Sequence, residues 1–487
     1  MSDQQKKIAD GKDESGLLDG KAVSRRDFLK IAGIAGATIG VGAGLGGLVA
    51  ACGGTTTTTA GPITTAAAGT TTTTAPAASS TTTIAAGSTA GREVKLGFVT
   101  PQTGSLASFG VADKYCVDLF KTIVGDGMAL GDGQKHPISV TLVDSQSNAN
   151  RSSQVAGDLI LNSKVDIIMA ASSGDNTTPV ADQAEANGVP SISTDTPWQA
   201  WFNRGGPGPA AGYKWTYHAF WGQEDNFGVQ FDMWSQVATN KVVGVVWPND
   251  VDGNNYRANW PKPLAAAGYK IIDGGSFQDG LEDFTDIITK FKDGGAEIVS
   301  GVMSPPDFTN LWKQSKQQSF NPKVNEVGKA LLFPQSVDAM GSIASGLATT
   351  IWWHPTYPFT SALTNQTCQQ FADAYETASG KQWTQPLLHF MIFEWAVDVL
   401  KRVKSVDDKQ QIIDAVSTTK VETVVGPVDF TQQVGTSGTR PVPNVVRTPL
   451  SGGQWVTGTK FPYDLVICDN KGWSMIPVST TMKPLGA

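Results

Sequence analysis

Short apolar runs alternate with longer stretches of helical periodicity, and this plan occurs twice along the chain. The first series has strands predicted at Val94–Val99, Ile138–Val143 and Val165–Ala170, with helices at about 107–124 and 152–162. The second has strands predicted at Val242–Trp247, Tyr269–Asp273 and Glu297–Val302, with helices at about 254–267 and 283–293. Strands alternating with helices at this spacing indicate βαβ units and parallel sheets. The sequence therefore predicts an α/β fold of two doubly wound, Rossmann-like lobes.

Loops at the carboxyl ends of these strands are the expected ligand site, because ligands of open parallel sheets bind beyond those ends. They are residues 100–110, 171–178 and 193–198 in the first lobe, and 247–254, 303–308 and 334–337 in the second, the last after a strand predicted at Ala330–Phe333. Hydroxyl groups stand near the predicted helix starts at Ser105, Ser172, Ser173, Thr194 and Thr196. Hydroxyls beside the N–H groups of a helix N-terminus suit a carboxylate or another anion. The alternative is that each is an N-cap of its own helix.

Tryptophan is abundant, with 14 residues in the chain. Trp198 and Trp247 lie at carboxyl ends of predicted strands, so we expect their rings to contact the ligand. Trp201, Trp221 and Trp353 also flank the predicted cleft or hinge. The alternative for every one of these rings is packing in the core or hinge.

Signatures of an enzyme or a metal site are not found. The chain has no G-x-S-x-G, Walker A or H-E-x-x-H motif, and its four histidines lack ligand spacing. The segment Asp250–Asn254 opens like a calcium loop, but Asn255 and Pro261 stand where the loop needs glycine and a bidentate glutamate. We therefore expect no catalytic activity, no cofactor and no bound metal.

The first 52 residues resemble an export signal of the twin-arginine type that ends in a lipobox. Arg25 and Arg26 precede Phe28-Leu29-Lys30, residues 31–51 are uncharged, and Leu48–Cys52 closes the segment. The resemblance implies a removable signal at 1–52 and acyl chains on Cys52. The working protein would then lie outside the cytoplasmic membrane, tethered to it. The alternative for residues 31–51 is a transmembrane helix.

Residues 53–91 are expected to form a disordered linker. Within 55–90, 16 of the 36 residues are threonine and none is charged, so the segment has few large apolar side chains to bury. A threonine-rich structural domain is the alternative, but the segment lacks alternating apolar positions. The net charge of −7 for the whole chain argues against binding to nucleic acid or to an anionic membrane surface.

Six motifs in consistent order resemble the branched-chain amino-acid-type substrate-binding proteins of ABC importers, which have the type I periplasmic-binding-protein fold. The motifs are Leu96–Gly104 with Gly110, Ile167–Ser173, Gly188–Ser193, Val245–Asp250 with Gly253, Phe308–Gln317 and Gly426–Phe430. In that family the chain crosses between the lobes three times. The resemblance thus implies lobe one at 92–218 plus 354–424, and lobe two at 219–353 plus 425–487.

The resemblance also implies how cysteines and histidines are placed. Besides Cys52 the chain has Cys116, Cys368 and Cys468, for which one disulfide plus one buried thiol is the simplest arrangement in an oxidising compartment. We expect Cys116 to pair with Cys368, since both fall in lobe one. His218 and His354 fall near crossings, so they are expected to form hinge hydrogen bonds.

In the resembled family, Ser/Thr and backbone N–H groups of lobe one hold the carboxylate of an amino acid. The matching positions here are Ser172 and Ser173 and the run Thr194–Thr196, which includes Asp195. Lobe two departs from the family pattern: Asp252 replaces a tyrosine, Met303 and Ser304 replace a ring donor, and Gln335 replaces the glutamate that pairs with the ligand's ammonium.

A desolvated ammonium needs an acidic or strongly accepting partner. Either Asp252 or Asp195 supplies that partner from a new direction, or the ligand carries no ammonium. The resemblance therefore implies a lipid-anchored binding protein that captures an amino acid or a related small polar or carboxylate solute. It would deliver the solute to a membrane permease that works with a separate ATPase. The alternatives are an amide or aromatic ligand, a sensor in a signalling system, and an exported enzyme.

Overall fold

The computed structural model describes residues 90–206, 208–432, 434–437 and 440–486. The predicted signal peptide, its Arg25, Arg26 and Cys52, and nearly all of the predicted linker lie outside the described residues. Within the described part of the chain, no helix has the length and apolar character that a membrane span requires.

The first lobe is built on a parallel sheet of six strands. In spatial order the strands are Val445–Val446, Thr216–Ala219, Ser191–Ser193, Ile167–Ala170, Val94–Thr100 and Ile138–Asp144. Its α-helices are Asp113–Val124, Ala149–Leu161, Gly174–Asn187, Trp198–Asn203, Cys368–Ser379, Phe390–Arg402 and Lys409–Ser417, with 3-10 turns at Ala107–Gly110 and Gln385–His389. Helices cover both faces, which is why the central strands are buried and mostly apolar, with Lys95 as the exposed exception.

The second lobe is built on a sheet of seven strands with one antiparallel edge. In spatial order the strands are Tyr463–Asp469, Ser451–Thr457, Ala348–Ile351, Val324–Gly328, Ile298–Val302, Val242–Val246 and Lys270–Asp273, of which the first two are antiparallel to their neighbours. Its helices are Gln223–Ser235, Val251–Asn259, Pro261–Ala266, Thr285–Asp293, Pro305–Gln317 and Pro334–Asp338, with a 3-10 turn at Gly341–Ala344.

Three two-stranded ribbons complete the described secondary structure. They pair Met128–Ala129 with Lys135–His136, Lys420–Thr423 with Gly426–Asp429, and Val434–Ser437 with Arg440–Val442. Each of the two large sheets contains one of the βαβ series predicted from the sequence, so both series are confirmed.

Two predicted elements of the second lobe differ in the structure. The helix expected at 254–267 is interrupted, because Pro261 begins a new helix directly after the Val251–Asn259 helix. The strand predicted at Ala330–Phe333 is wrong: this apolar run is buried but is not a strand, and the strand is Val324–Gly328. The apolar pattern did not predict that strand because it contains the polar residues Asn325 and Glu326.

The chain passes between the two sheets three times. The third passage comes later than predicted, since the sequence analysis placed it between residues 424 and 425. Strand Val445–Val446 still pairs with His218 and Ala219 in the first sheet, and the next strand, Ser451–Thr457, belongs to the second. Phe430 explains the difference, because its ring stacks on Trp395 at 4.9 Å and keeps this segment on the first lobe. The crossing therefore lies between Val446 and Ser451.

Histidines brace two of the passages. His218 donates its Nε2–H to the Thr196 carbonyl at 2.7 Å, and His354 donates to the Leu465 carbonyl at 3.0 Å. Burial lowers the pKa of His218 to about 3 and that of His354 to about 4, so both rings are neutral near pH 7.

The expected disulfide between Cys116 and Cys368 is wrong. Cys116, Cys368 and Cys468 are all free and buried, and the Cys368 thiol donates to the Val424 carbonyl at 3.2 Å instead. Burial raises the pKa of Cys368 and of Cys468 to about 12. Neutral thiols in apolar surroundings react slowly.

We therefore expect a Cys52→Ser variant to show no thiol that reacts with Ellman's reagent when it is folded. In denaturant the same protein should show three reactive thiols without prior reduction. A single reactive thiol under denaturing conditions would mean that two of these cysteines form a disulfide.

Candidate functional site

A small cavity lies between the lobes, at the carboxyl ends of the strands of both sheets. Its volume is about 40 Å³, and residues from both lobes and from two of the crossing segments line it. Side chains in the lining include Phe109, Ser173, Asp195, Phe220, Trp221, Asn226, Gln230, Asp252, Tyr256, Glu326, Lys329 and Trp352. The cavity is therefore where the strand-end rule places a ligand.

Three of the eleven predicted ligand-binding residues line this cavity: Ser173, Asp195 and Asp252. The other eight are outside its lining: Ser105, Ser172, Thr194, Thr196, Trp198, Trp247, Ser304 and Gln335.

Hydrogen bonds within the protein explain several of the predicted residues that lie outside the lining. Thr194 donates to the Ala219 carbonyl at 2.7 Å, and Thr196 donates to the Ser172 carbonyl at 2.8 Å. Ser304 caps its own helix by accepting from the Asp307 N–H at 3.4 Å. Ser304 is therefore an N-cap, whereas Thr194 and Thr196 bond to carbonyls of other segments and cap no helix of their own.

Aromatic rings do border the cavity, but they are not the two predicted ones. Trp198 donates its indole N–H to Glu224 at 3.0 Å, and Trp247 is buried beneath the Arg257 guanidinium. Trp221 and Trp352 from the crossing segments line the cavity instead. They pack around Phe220, whose ring lies 4.9 Å from Trp221 and 5.3 Å from Trp352. These rings form an apolar wall.

Lys329 is the central residue that the sequence analysis missed. Its ammonium lies 2.7 Å from a carboxylate oxygen of Asp250 and 2.7 Å from one of Asp252. Burial opposes the charge on Lys329, but the carboxylates of Asp250, Asp252 and Asp175 raise its pKa, so it remains an ammonium. Lys329 directly follows strand Val324–Gly328 and so lies at its carboxyl end. The sequence analysis predicted this strand at Ala330–Phe333, which placed Lys329 before the strand.

A second buried ion cluster lies in the first lobe. His389 donates to Asp113 at 2.6 Å through Nδ1 and to Asp195 at 3.1 Å through Nε2. Burial opposes the charge, but the two carboxylates raise the pKa of His389 to about 9. Burial raises the pKa of Asp195 to about 7. Asp195 also has a φ of 70°, so this carboxylate is held in an uncommon backbone conformation.

Glu326 forms the third polar cluster, on the second lobe. Its carboxyl group accepts hydrogen bonds from Gln230 and, at 3.1 Å, from Ser300. Burial raises the pKa of Glu326 to about 8, so the group is mostly protonated at pH 7. The cavity lining therefore includes a neutral carboxylic acid that can both donate and accept hydrogen bonds.

Seven polar atoms of the lining have no hydrogen-bond partner among the described residues. Three of them can donate: Ser173 Oγ, Trp221 Nε1 and Trp352 Nε1. Three can accept: Asn226 Oδ1, Gln230 Oε1 and Asp252 Oδ1. The seventh, Glu326 Oε1, donates while this acid is protonated and accepts when it is ionised. An unsatisfied buried polar atom costs about 1–3 kcal/mol. A molecule that satisfies them must both donate and accept hydrogen bonds.

Within the described residues, no group of three or more His, Cys, Asp or Glu side chains is arranged to hold a metal ion. The unpartnered polar atoms and the aromatic wall of the cavity are suited to non-covalent binding of a small polar solute.

The ion cluster around His389 predicts a pH dependence of stability. The pKa of His389 is about 9 when folded and about 6.5 when unfolded, so its contribution is complete below pH 6.5 and is lost as pH rises through 9. The free energy of unfolding of the wild type, relative to a His389→Gln variant, should therefore fall by roughly 3 kcal/mol between pH 6.5 and 9.

Denaturant unfolding at several pH values measures this difference. A His354→Gln variant is the control, because burial lowers the pKa of His354 to about 4 and the ring is neutral throughout this window. A constant difference between the wild type and His389→Gln from pH 6.5 to 9 would contradict the paired imidazolium.

Comparison with known proteins places this chain in a family. The model of the periplasmic binding protein family matches residues 93–445. Among solved structures, a leucine-binding protein LivK from Thermotoga maritima has 17% identity and a TM-score of 0.61, and the match covers 76% of this chain and 97% of that one. A periplasmic binding protein from Burkholderia mallei has 14% identity and a TM-score of 0.64, with 81% and 98% covered.

A third similar structure is a solute-binding protein of an ABC transporter from Rhodopseudomonas palustris BisB5, in complex with 3,4-dihydroxybenzoic acid. It has 19% identity and a TM-score of 0.60, and the match covers 78% of this chain and 98% of that one. The family match spans most of the chain, and the structural matches share its two-lobed α/β architecture. The chain belongs to the periplasmic binding protein family and has its type I fold.

Proposed function

We propose that this chain is the extracytoplasmic solute-binding component of an ABC importer, and that its ligand is a small polar solute without an ammonium group. The family match and the similar ABC-transporter proteins support the general role. One observation carries the choice of ligand: both candidate acids for a ligand's ammonium are already paired with cations of the protein.

Asp252 is in contact with Lys329, and Asp195 is in contact with His389. A second ammonium in the cavity would lie close to one of these cations, and like charges at short range in a buried site repel strongly. Gln335, which stands where related proteins have an ammonium-binding glutamate, is not part of the lining. Glu326 also lines the cavity, but burial raises its pKa to about 8 and keeps it mostly protonated at pH 7. No acid of the lining therefore offers an unpaired carboxylate to an α-amino group at pH 7.

Similar folds accept both kinds of ligand. One related structure, from Streptococcus pneumoniae, is in complex with isoleucine, and two from Rhodopseudomonas palustris are in complex with benzoate and 4-hydroxybenzoate. The fold thus leaves the ligand class open, and the side chains of the cavity decide it.

The proposed mechanism is closure without covalent chemistry. A solute enters between the lobes and its polar groups satisfy the donors and acceptors of the lining, while Trp221 and Trp352 cover its apolar part. Closure excludes water and strengthens these hydrogen bonds. A membrane permease then recognises the closed form, and a separate protein hydrolyses ATP. Acyl chains on Cys52 tether the protein, and residues 53–91 space it from the membrane.

A ligand panel tests the proposed role. Thermal unfolding with glycine, leucine and phenylalanine should show no stabilisation, whereas amides, urea or aromatic solutes without an ammonium should include a ligand. A true ligand at about 100 times its Kd stabilises the folded state by roughly 2.7 kcal/mol. Stabilisation by an α-amino acid would contradict the proposed ligand class, and no stabilisation by any panel member would contradict the solute-binding role.

Removal of Lys329 tests whether its ammonium fills the position beside Asp250 and Asp252 that the ammonium of a ligand would otherwise occupy. A Lys329→Ala variant leaves Asp250 and Asp252 without their cation, which should destabilise the fold by about 3–5 kcal/mol. Methylammonium or ethylammonium should restore part of that stability, because either fits the position of the lost ammonium. A Lys323→Ala variant is the control, since Lys323 pairs with Glu297 at an exposed site and should cost at most about 1 kcal/mol.

Equal effects of methylammonium on Lys329→Ala, Lys323→Ala and the wild type would show that the Lys329 position does not act as an ammonium site.

A further inference from the structure

The N-terminus of the Gly174–Asn187 helix faces the cavity between the lobes. Ser173 occupies the N-cap position, but its hydroxyl makes no capping hydrogen bond. The side chain is 2% exposed, and its Oγ lacks a partner among the described residues. The N–H groups of a helix N-terminus together with an unused hydroxyl favour a negatively charged group.

A carboxylate of the protein already lies at this position. Asp252, from the Val251–Asn259 helix of the second lobe, is 3% exposed, and its Oδ1 lies 3.3 Å from the point where a Cβ on Gly174 would be. Burial raises the pKa of Asp252 overall, and the backbone N–H of Gly174 is close enough to oppose that rise. Only glycine fits there, because a Cβ would also lie 2.6 Å from Val251.

A second carboxylate makes the corresponding contact in the opposite direction, from the first lobe to the second. Asp175, in the first turn of the Gly174–Asn187 helix, lies close enough to the backbone N–H of Val251 for that group to lower its pKa, although burial raises the pKa of Asp175 to about 7 overall. Each lobe therefore presents a carboxylate to the helix N-terminus of the other. Lys329 stands among these acids and contacts Asp250 and Asp252.

We propose that Asp252 is a specificity-determining residue: it takes the position in which a ligand's carboxylate would bind and so restricts the site to uncharged solutes, with amides as the favoured class. This proposal rests on the proposed function and narrows it. A ligand carboxylate would meet a site that already holds Asp252, Asp250 and Asp175 around one ammonium. An amide of the same shape avoids that repulsion, and its N–H₂ group can donate to the unpartnered Asp252 Oδ1.

Matched pairs of solutes test this in the wild-type chain. Isothermal titration calorimetry with acetamide against acetate, and with benzamide against benzoate, should show that the amide of at least one pair binds ten times more tightly than its carboxylate. A carboxylate that binds as tightly as its amide would overturn the proposal.

Substitutions of Asp252 test it independently of the native ligand. Asp252→Ala should open the anion position, so acetate should bind at least ten times more tightly than to the wild type and should raise Tm. Asp252→Asn is the matched control, because it removes the charge but fills the same space, and it should not gain acetate binding. Asp252→Ser is a second opening variant in case Asp252→Ala does not fold.

The two proposals fail in different ways. If no solute binds the wild type but acetate binds the opening variants, the proposed solute-binding role is contradicted and the role of Asp252 stands. If an opening variant folds and gains no acetate binding, the role of Asp252 is wrong whatever the wild type binds.

Discussion

Pairing of buried charges is the constraint on which the cleft between the lobes depends. Lys329 binds two carboxylates on the second lobe, and His389 binds two on the first. An isolated ion at these depths would be too costly to keep, whereas a paired and hydrogen-bonded one is tolerated. The lobes can therefore meet over charged side chains. Seven of the buried polar atoms that remain unpaired among the described residues face the cavity.

Much of the fold could be predicted from the sequence, because the strands of a parallel sheet that is buried on both faces are apolar at nearly every position. Strands such as Val94–Thr100 and Ile298–Val302 are apolar almost without interruption, and the helices between them show one apolar face. The strand-end rule then directed attention to the loops of Ser173, Asp195 and Asp252, all of which line the cavity.

The site itself was harder to predict, since it depends on contacts that sequence spacing does not encode. Lys329 was hidden because its strand carries Asn325 and Glu326 where the pattern expects apolar residues. His389 joins Asp113 and Asp195 across 276 and 194 positions of the chain, a closeness that only the fold creates. A tryptophan at a strand end and one at a crossing look alike in sequence, so the choice between Trp247 and Trp352 could not be made there.

The late return of the chain to the first sheet affects how the protein can fold. Asn444 donates to the Thr216 carbonyl at 3.0 Å across 228 positions, and strand Val445–Val446 completes the sheet that begins at Val94. The first lobe is therefore unfinished until five of the seven strands of the second sheet have been synthesised. Such long-range closure is slow, and its entropy cost is met only when the distant segments pair. The lobes are two bodies in space but one unit in folding, so a ribosome-bound chain that ends before residue 445 lacks an edge strand of its first domain.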